Sequence, residues 1–288
     1  MDVFNYRVFL TVAKYKSFLK AAELHNITSP AVSHIIKQLE KQFGFALFIR
    51  NSRRVSLTAS GEELISCIEE IVRKEDELFE LSSQLSGLYS GHLKLGIFNS
   101  MCRYIPSILR GFNEIYPHIS FEIFQGSYED IIYWLKNGIV DIGFLSKTVN
   151  PGFSFYEIFS DPLMCIVSKE TVTQSEEMIE LESLNQAAFV MQRESCDADA
   201  RAIMDKLNLE VRTVCHVVDD RTTVDMVKSG FGFAIMPRLT MYGMEDEVKM
   251  LKIVPEGKRL IGVAVKNEKE LKPAARKALE YIKSFKYE

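Results

Sequence analysis

At 288 residues the chain is long enough for two or three domains, and 47% hydrophobic with 26% charged residues is the balance of an ordinary water-soluble protein. Charge is unevenly spread: residues 1–60 hold nine Lys and Arg against three Asp and Glu, while the whole chain is at −4, so a basic head precedes an acidic body. No apolar run is long enough to span a membrane, the N-terminus lacks a signal peptide's apolar core and cleavage site, and five cysteines without a CxxC pair argue against a disulfide framework or zinc site and fit a reducing cytoplasm.

In chain order, Phe4, Val8, Phe9, Val12 and Ala13 predict a helix over residues 2–16, and Phe18, Ala21, Ala22 and Leu24 predict a second. His25, Asn26 and Ile27 break it. Thr28 or Ser29 can cap a third helix, with Pro30 in its first turn, where a missing N–H costs nothing. Val32, Ile35, Ile36 and Leu39 recur at helical spacing and face inward, whereas Ala31, Ser33, His34, Lys37 and Gln38 are left outward. This is the pattern of a helix-turn-helix whose reading helix enters the DNA major groove, where small side chains permit close approach and hydroxyl, imidazole or amide groups read base edges. Ser29, Pro30, Ala31, Ser33, His34 and Lys37 are the candidate DNA-facing residues. A hairpin follows, with strands expected over 46–49 and through Val55 and Leu57. Its Arg50, Arg53 and Arg54 are candidate phosphate contacts, which add affinity without sequence information.

Residues 59–88 read as one long helix, with Ser60 and Glu63 as a capping box. Leu64, Ile68, Ile71, Leu78 and Leu85 form a heptad-like stripe that a lone helix cannot bury, so a dimer through this segment is expected; the competing reading packs the stripe against the chain's own domains. Gly87 and Gly91 mark a hinge. Beyond them, strands over 93–97, 119–124 and 140–145 alternate with helices over 103–116 and 128–137, implying an open, mostly parallel sheet. A second unit takes strands over 162–168, 188–192 and 214–218 and helices over 198–207 and 222–229. Strands over 233–236 and 259–265 and a helix over 273–287 end the chain. Gly230 and Gly232 read as a tight turn.

Ser17-Phe18, Ala21-Ala22, Pro30-Ala31-Val32-Ser33, Ile36-Lys37, Leu39-Glu40, Gly44, Leu47-Phe48, Arg50 and Leu57-Thr58 followed by Gly61 resemble the N-terminal signature of LysR-type transcriptional regulators. Ser29 stands where members often carry Gln, and His34 where they often carry Arg, which bears on base preference. Further matches are 91–96 (GHLKLG), Tyr116-Pro117, 138–143 (GIVDIG), 230–234 (GFGFA) and Met236-Pro237. The resemblance covers essentially the whole chain. It implies a winged helix-turn-helix over 1–58, a linker and dimerisation helix over 59–90, and a periplasmic-binding-protein-like effector domain of two α/β subdomains over 91–288. Subdomain I would take 91–160 and 266–288, and subdomain II 161–265. It also implies promoter DNA and a small-molecule effector as partners, a dimer or tetramer, contact with RNA polymerase, a cytoplasmic location, and no cofactor or metal.

Ligands of open α/β sheets bind beyond the C-terminal ends of strands. That selects Asn99, Ser100, Met101, Gln125, Gly126, Ser127 and Phe144 from the first half, and Gln192, Ser195, Asp219 and Thr222 from the second. The family resemblance singles out Ser100. Arg103, Arg193 and Arg221 are candidate cations for a small carboxylate, whereas Asp219 and Asp220 point to a cationic or hydroxylated group. An enzyme is disfavoured by the absence of a nucleophile elbow, an HExxH or a P-loop, and histidines 25, 34, 92, 118 and 216 share no metal-ligand spacing. Two further functions compete with effector-controlled DNA binding: a redox switch through Cys196 and Cys215, and an exported solute-binding protein.

Overall fold

The computed structural model describes residues 2–51, 54–85, 89–192 and 198–287, with backbone alone at Arg50, Asn51, Arg54, Ser83 and Gln84. Arg53, Gly87, Arg193, Ser195 and Cys196 therefore lie outside the described residues. The chain divides into two units, Met1–Gly87 and Leu88–Glu288.

In the first unit, helices α1 (Val3–Tyr15), α2 (Phe18–His25) and α3 (Ser29–Phe43) each start on a side-chain cap: Asp2, Ser17 and Thr28. Pro30 sits in the first turn of α3, and Gly44 ends it in the left-handed region at φ 83°. The inward residues at three- and four-residue spacing meet in one core: Phe9 and Val12, Ala21 and Ala22, and Val32, Ile36 and Leu39. Strands β1 (Phe48–Asn51) and β2 (Arg54–Leu57) pair antiparallel. The first strand starts two residues later than expected because Leu47 is engaged elsewhere. Its N–H donates to Glu40 Oε1 at 2.9 Å, and its carbonyl accepts from Thr58 N at 3.0 Å.

Helix α4 (Ala59–Leu85) begins on Thr58, whose Oγ1 accepts from Gly61 N at 3.0 Å. The expected Ser60–Glu63 box is thus corrected. Thr58 also donates to Ala46 O at 2.8 Å, so the hairpin holds the capping hydroxyl in place and Ser60 falls inside the helix. The apolar stripe of α4 divides in two. Leu64, Ile65, Ile68 and Val72 pack on the unit's own core, with Ile68 only 2% exposed, whereas Ile71, Leu78, Phe79 and Leu85 are exposed. Leu64 and Ile68, expected to face a partner, are corrected accordingly. Arg7 Nη2 donates to Glu75 and Asp76 at 2.9 and 2.5 Å, fastening α1 to α4.

The second unit opens with β3 (Ser90–Ile97), α5 (Ile105–Ile115), β4 (His118–Gln125), α6 (Tyr128–Lys136) and β5 (Ile142–Ser146); β3 pairs parallel with both β4 and β5. A 3₁₀ turn over Asn99–Arg103 precedes α5, so the helix expected from Arg103 starts at Ile105. Then come β6 (Ser154–Val167), β7 (Met178–Glu180), β8 (Ala188–Gln192), α7 (Ala198–Lys206), β9 (Arg212–Val217), α8 (Asp220–Lys228), β10 (Ala234–Pro237), β11 (Lys249–Val254), β12 (Lys258–Val265) and α9 (Pro273–Ser284). Gly230 and Gly232 make the turn from α8 to β10 with φ of 80° and 154°.

The main sheet is mixed, correcting the expectation of a mostly parallel one: β12 runs antiparallel to both β5 and β6, and β6 antiparallel to β10 and β11. One crossing strand leads out of the first half and the other leads back, so the two must oppose. β6 is fourteen residues long, and Pro162, taken as its start, sits in its middle. There β6 changes partners, pairing with β12 up to Pro162 and with β10 from Leu163, so a missing N–H is tolerated. Ile261, Val263 and Val265 of β12 pack in the first half's core beside Phe112, Ile131, Phe144 and Leu279, rather than in the second half assigned to them. Alternate residues of β6 divide the second half into two cores. Leu163 and Cys165 join Phe189, Met204 and Leu251, and Ile166 joins Val190, Val224 and Met236.

Candidate functional site

Because β3 and β4 are parallel and in register at Ile97 and Gln125, the residues that follow them emerge side by side at the C-terminal edge of the sheet. Opposite them stand the ends of β8 and β9 and the start of α8. A cavity of about 500 Å³ lies between, lined from the first half by Phe98, Asn99, Ser100, Gln125, Gly126, Ser127 and Tyr128, and from the second by Gln192, Val218, Asp219, Asp220, Pro237 and Thr240, with Arg259 of β12. That volume suits a small metabolite.

Arg259 organises its base. The guanidinium is 4% exposed and is held against Asp161 of β6, Nε to Oδ2 at 2.9 Å and Nη2 to Oδ2 at 2.7 Å. Nη2 also donates to Ser100 Oγ at 2.7 Å and Nη1 to the Tyr128 hydroxyl at 3.3 Å, and the group lies over the Phe98 ring. Burial pushes the Asp161 carboxyl up while Arg259 beside it pulls it back, and Leu239 N donates to its other oxygen at 3.0 Å. Burial pushes the Tyr128 phenol up to about 12, so it keeps its proton. A charge in the interior needs such a set of partners.

The opposite wall is acidic. Asp219 caps α8, accepting from Thr222 N at 2.9 Å and Thr222 Oγ1 at 2.8 Å, and the first of these holds its carboxyl below the usual range. Asp220 accepts from Asn99 Nδ2 at 2.7 Å and Gln192 Nε2 at 3.0 Å, so one carboxylate ties the two halves across the cavity mouth. Gln125 Nε2 donates to Asn99 Oδ1 at 3.0 Å.

Of the residues chosen from strand ends, Asn99, Ser100, Gln125, Gly126, Ser127, Gln192 and Asp219 line the cavity. Met101 and Phe144 do not. Both are fully buried in the first half's core, since the 3₁₀ turn and the strand alternation point them inward. Thr222 is taken up by the Asp219 cap. Arg103 lies over the Tyr242 ring at 4.5 Å, and Arg221 is paired with Asp225 and Glu247, so neither lines the cavity. Asp220, expected to face a cationic or hydroxylated group, also lines the cavity. Arg259, Tyr128 and Thr240 were missed; a signal existed for Arg259, a charge at the start of the apolar run Leu260 to Val265. Among the described cysteines, Cys165 is buried with its thiol pushed up to about 12, Cys67 and Cys102 are exposed, and Cys215 is half-buried.

On the first unit, Pro30, His34, Lys37 and Gln38 project from the exposed side of α3, with Ser29, Ala31 and Ser33 half-buried beside them. His34 Nε2 lies 3.0 Å from Gln38 Nε2. The side chains of Arg50, Arg53 and Arg54 lie outside the described ones. Among the described residues no group of His, Cys, Asp and Glu could hold a metal, and no helix is long and apolar enough to cross a membrane.

A basic helix-turn-helix unit joined to a two-lobed unit with a ligand-sized cleft defines a DNA-binding regulator with an effector-binding domain. The family model for the LysR substrate binding domain matches residues 86–286, and that for the bacterial regulatory helix-turn-helix protein, lysR family, matches 5–62. The chain belongs to the LysR family of transcriptional regulators. It is 28% identical to the HTH-type transcriptional activator CmpR of Synechocystis sp., over 86% of this chain and 84% of that one. Its fold is similar to that of full-length OxyR C199D from Pseudomonas aeruginosa, at 19% identity and a TM-score of 0.72, covering 99% and 95% of the two chains. It is likewise similar to full-length CbnR complexed with its target DNA, at 18% identity and a TM-score of 0.69, covering 98% and 99%.

Proposed function

We propose that this regulator acts in the cytoplasm as a dimer or tetramer, reads promoter DNA with α3, and changes its DNA binding when a small molecule occupies the cleft lined by Ser100, Gln125, Gln192, Asp220 and Arg259. The observation that carries this reading is the Asn99–Asp220 hydrogen bond, which joins the two lobes directly over the cavity. A ligand entering there competes with the bond, so open and closed arrangements bind it differently, which is the condition for a ligand to shift an equilibrium. Pro30, Ser33, His34 and Lys37 approach base edges, and Arg50, Arg53 and Arg54 take phosphates. The exposed Ile71, Leu78, Phe79 and Leu85 of α4 supply the dimer face. CbnR was solved on its target DNA, which supports the same role for the head here.

The test is a salt-resolved DNA-binding titration on the segment upstream of the protein's own gene. His34→Ala is expected to change the order of preferred sequences, with about 1–3 kcal/mol lost on the best site, and Arg53→Ala to weaken all sequences and reduce the salt slope by about one. Unchanged binding in both variants refutes the assignment of the reading face.

A further inference from the structure

We propose that the cleft takes an amphoteric ligand, a small molecule carrying a carboxylate and, a few atoms away, an ammonium group, with an α-amino acid as its simplest form. The proposal rests on the cleft being the effector site and adds the ligand's chemistry.

Two walls of opposite character carry it. At the base, the Ser100 hydroxyl accepts from Arg259 Nη2 at 2.7 Å, which leaves its own O–H to donate; no described residue accepts from it. Donation from a cation strengthens that O–H as a donor. Arg259 itself is nearly fully buried. Of the two N–H groups on Nη1, Tyr128 takes one, and the other has no acceptor among the described residues. The base therefore offers donors to an anionic group.

Facing it are two carboxylates with acceptor capacity to spare. Asp219 uses one site on each oxygen for Thr222, and Asp220 one on each for Asn99 and Gln192. A carboxylate has about four such sites. Asp219, Asp220 and Arg259 are the charged residues among the described lining, and Arg259 is already neutralised by Asp161. A plain dicarboxylate would bring two charges against a described lining whose unmatched charge is negative. A ligand with an ammonium group places it on the Asp219–Asp220 wall and leaves its carboxylate for Ser100. Asn99 is the neighbour of Ser100 and bonds Asp220 directly, so both walls border the one cavity.

The chain supplies its own reporter. Its one tryptophan, Trp134, lies against Gly126 of the cleft, where an added Cβ would come within 2.7 Å of the indole. The experiment is a fluorescence titration of the full chain with the common α-amino acids, each beside its hydroxy-acid analogue and its decarboxylated amine, with succinate and glutarate as diacid probes. One or a few amino acids are expected to shift Trp134 emission with a Kd at least tenfold below both analogues. Asp220→Asn and Ser100→Ala, each checked for an unchanged thermal transition, are expected to weaken that binding at least tenfold. A diacid or hydroxy acid that binds as tightly as the best amino acid, and loses affinity in Ser100→Ala, overturns the amphoteric ligand while leaving the cleft as the site. Binding indifferent to both substitutions overturns the cleft reading itself. A panel in which no amino acid binds counts against the proposal.

Discussion

Replacing Asp161 by Ala is expected to be among the most damaging single changes in the second unit. The pair it forms with Arg259 is 4% and 5% exposed, so removing one partner leaves a guanidinium buried with Ser100 and Tyr128 as its acceptors among the described residues. Breaking a buried pair in this way costs about 3–5 kcal/mol. The Leu239 N–H also loses its acceptor. For a unit of this size about 2–4 °C accompanies each kcal/mol, so the transition should fall by roughly 6–20 °C. Thermal unfolding followed by Trp134 emission reads this cleanly, because the single tryptophan belongs to the same unit as the pair. The control is the double change Asp161→Leu with Arg259→Met. Apolar groups of similar volume remove both charges at once, and most of the lost stability should return. A loss below about 1 kcal/mol in Asp161→Ala, or a double variant no better than the single, would refute the assignment of the pair as the base of the cleft.

Asp219→Ala removes the α8 cap and should cost about 1 kcal/mol in urea unfolding at neutral pH. Since the Thr222 N–H holds the Asp219 carboxyl below its ordinary value, its charged-state contribution is complete above the usual carboxylate range and fades as pH falls through the lower folded value. The gap between wild type and variant should therefore narrow in acid, and a gap that widens there contradicts the cap. Gly61→Ala would set a Cβ 2.4 Å from the Leu47 carbonyl, pushing the hairpin away from α4. A loss of about 1–3 kcal/mol in the thermal unfolding of the first unit is expected, and an unchanged melt would show that the approach is looser. Ile68→Glu should unfold the first unit, whereas Phe79→Glu should leave its circular dichroism intact and shift sedimentation toward monomer. A monomer from neither, or from Ile68→Glu alone without unfolding, would move the dimer face off the exposed half of α4.

The helices of the head were legible because each carries its own local evidence. Thr28 and Pro30 mark a start, Asn26 marks a break, and the three-and-four spacing of Val32, Ile36 and Leu39 names the buried side. Periodicity names a face without naming what covers it. On α4 one stripe serves two surfaces: Ile68 completes the head's core, and Leu78 a few turns further on is open. Boundaries failed where a distant group intervened. Ser60 with Glu63 satisfies the local rule for a cap, yet the Ala46 carbonyl fixes the Thr58 hydroxyl and moves the start of the helix. Strand direction failed for a related reason, since β6 and β12 lie far apart in the chain and nothing local to either says which way they pair.

The cleft was half legible on the same grounds. Strand ends are visible in sequence, and ligands gather there by geometry, so Asn99, Ser100, Gln125 and Gln192 could be found. The cation could not be found that way, because Arg259 lies at the start of a crossing strand rather than at the end of a parallel one. Its position depends on Asp161 of the other crossing strand, placed opposite it by the antiparallel register. A strand-end rule looks for arginines beside helix starts, and Arg103 and Arg221 satisfy it while binding Tyr242, Asp225 and Glu247 instead. The better question of a sequence such as this is which charges cannot be solvated. Arg259 enters the run Leu260 to Val265 and Asp161 sits one residue before Pro162 in β6, two opposite charges in segments that must be buried. Neither is stable there alone, so the expectation that they meet follows from solvation, and with it the position of the cleft's base.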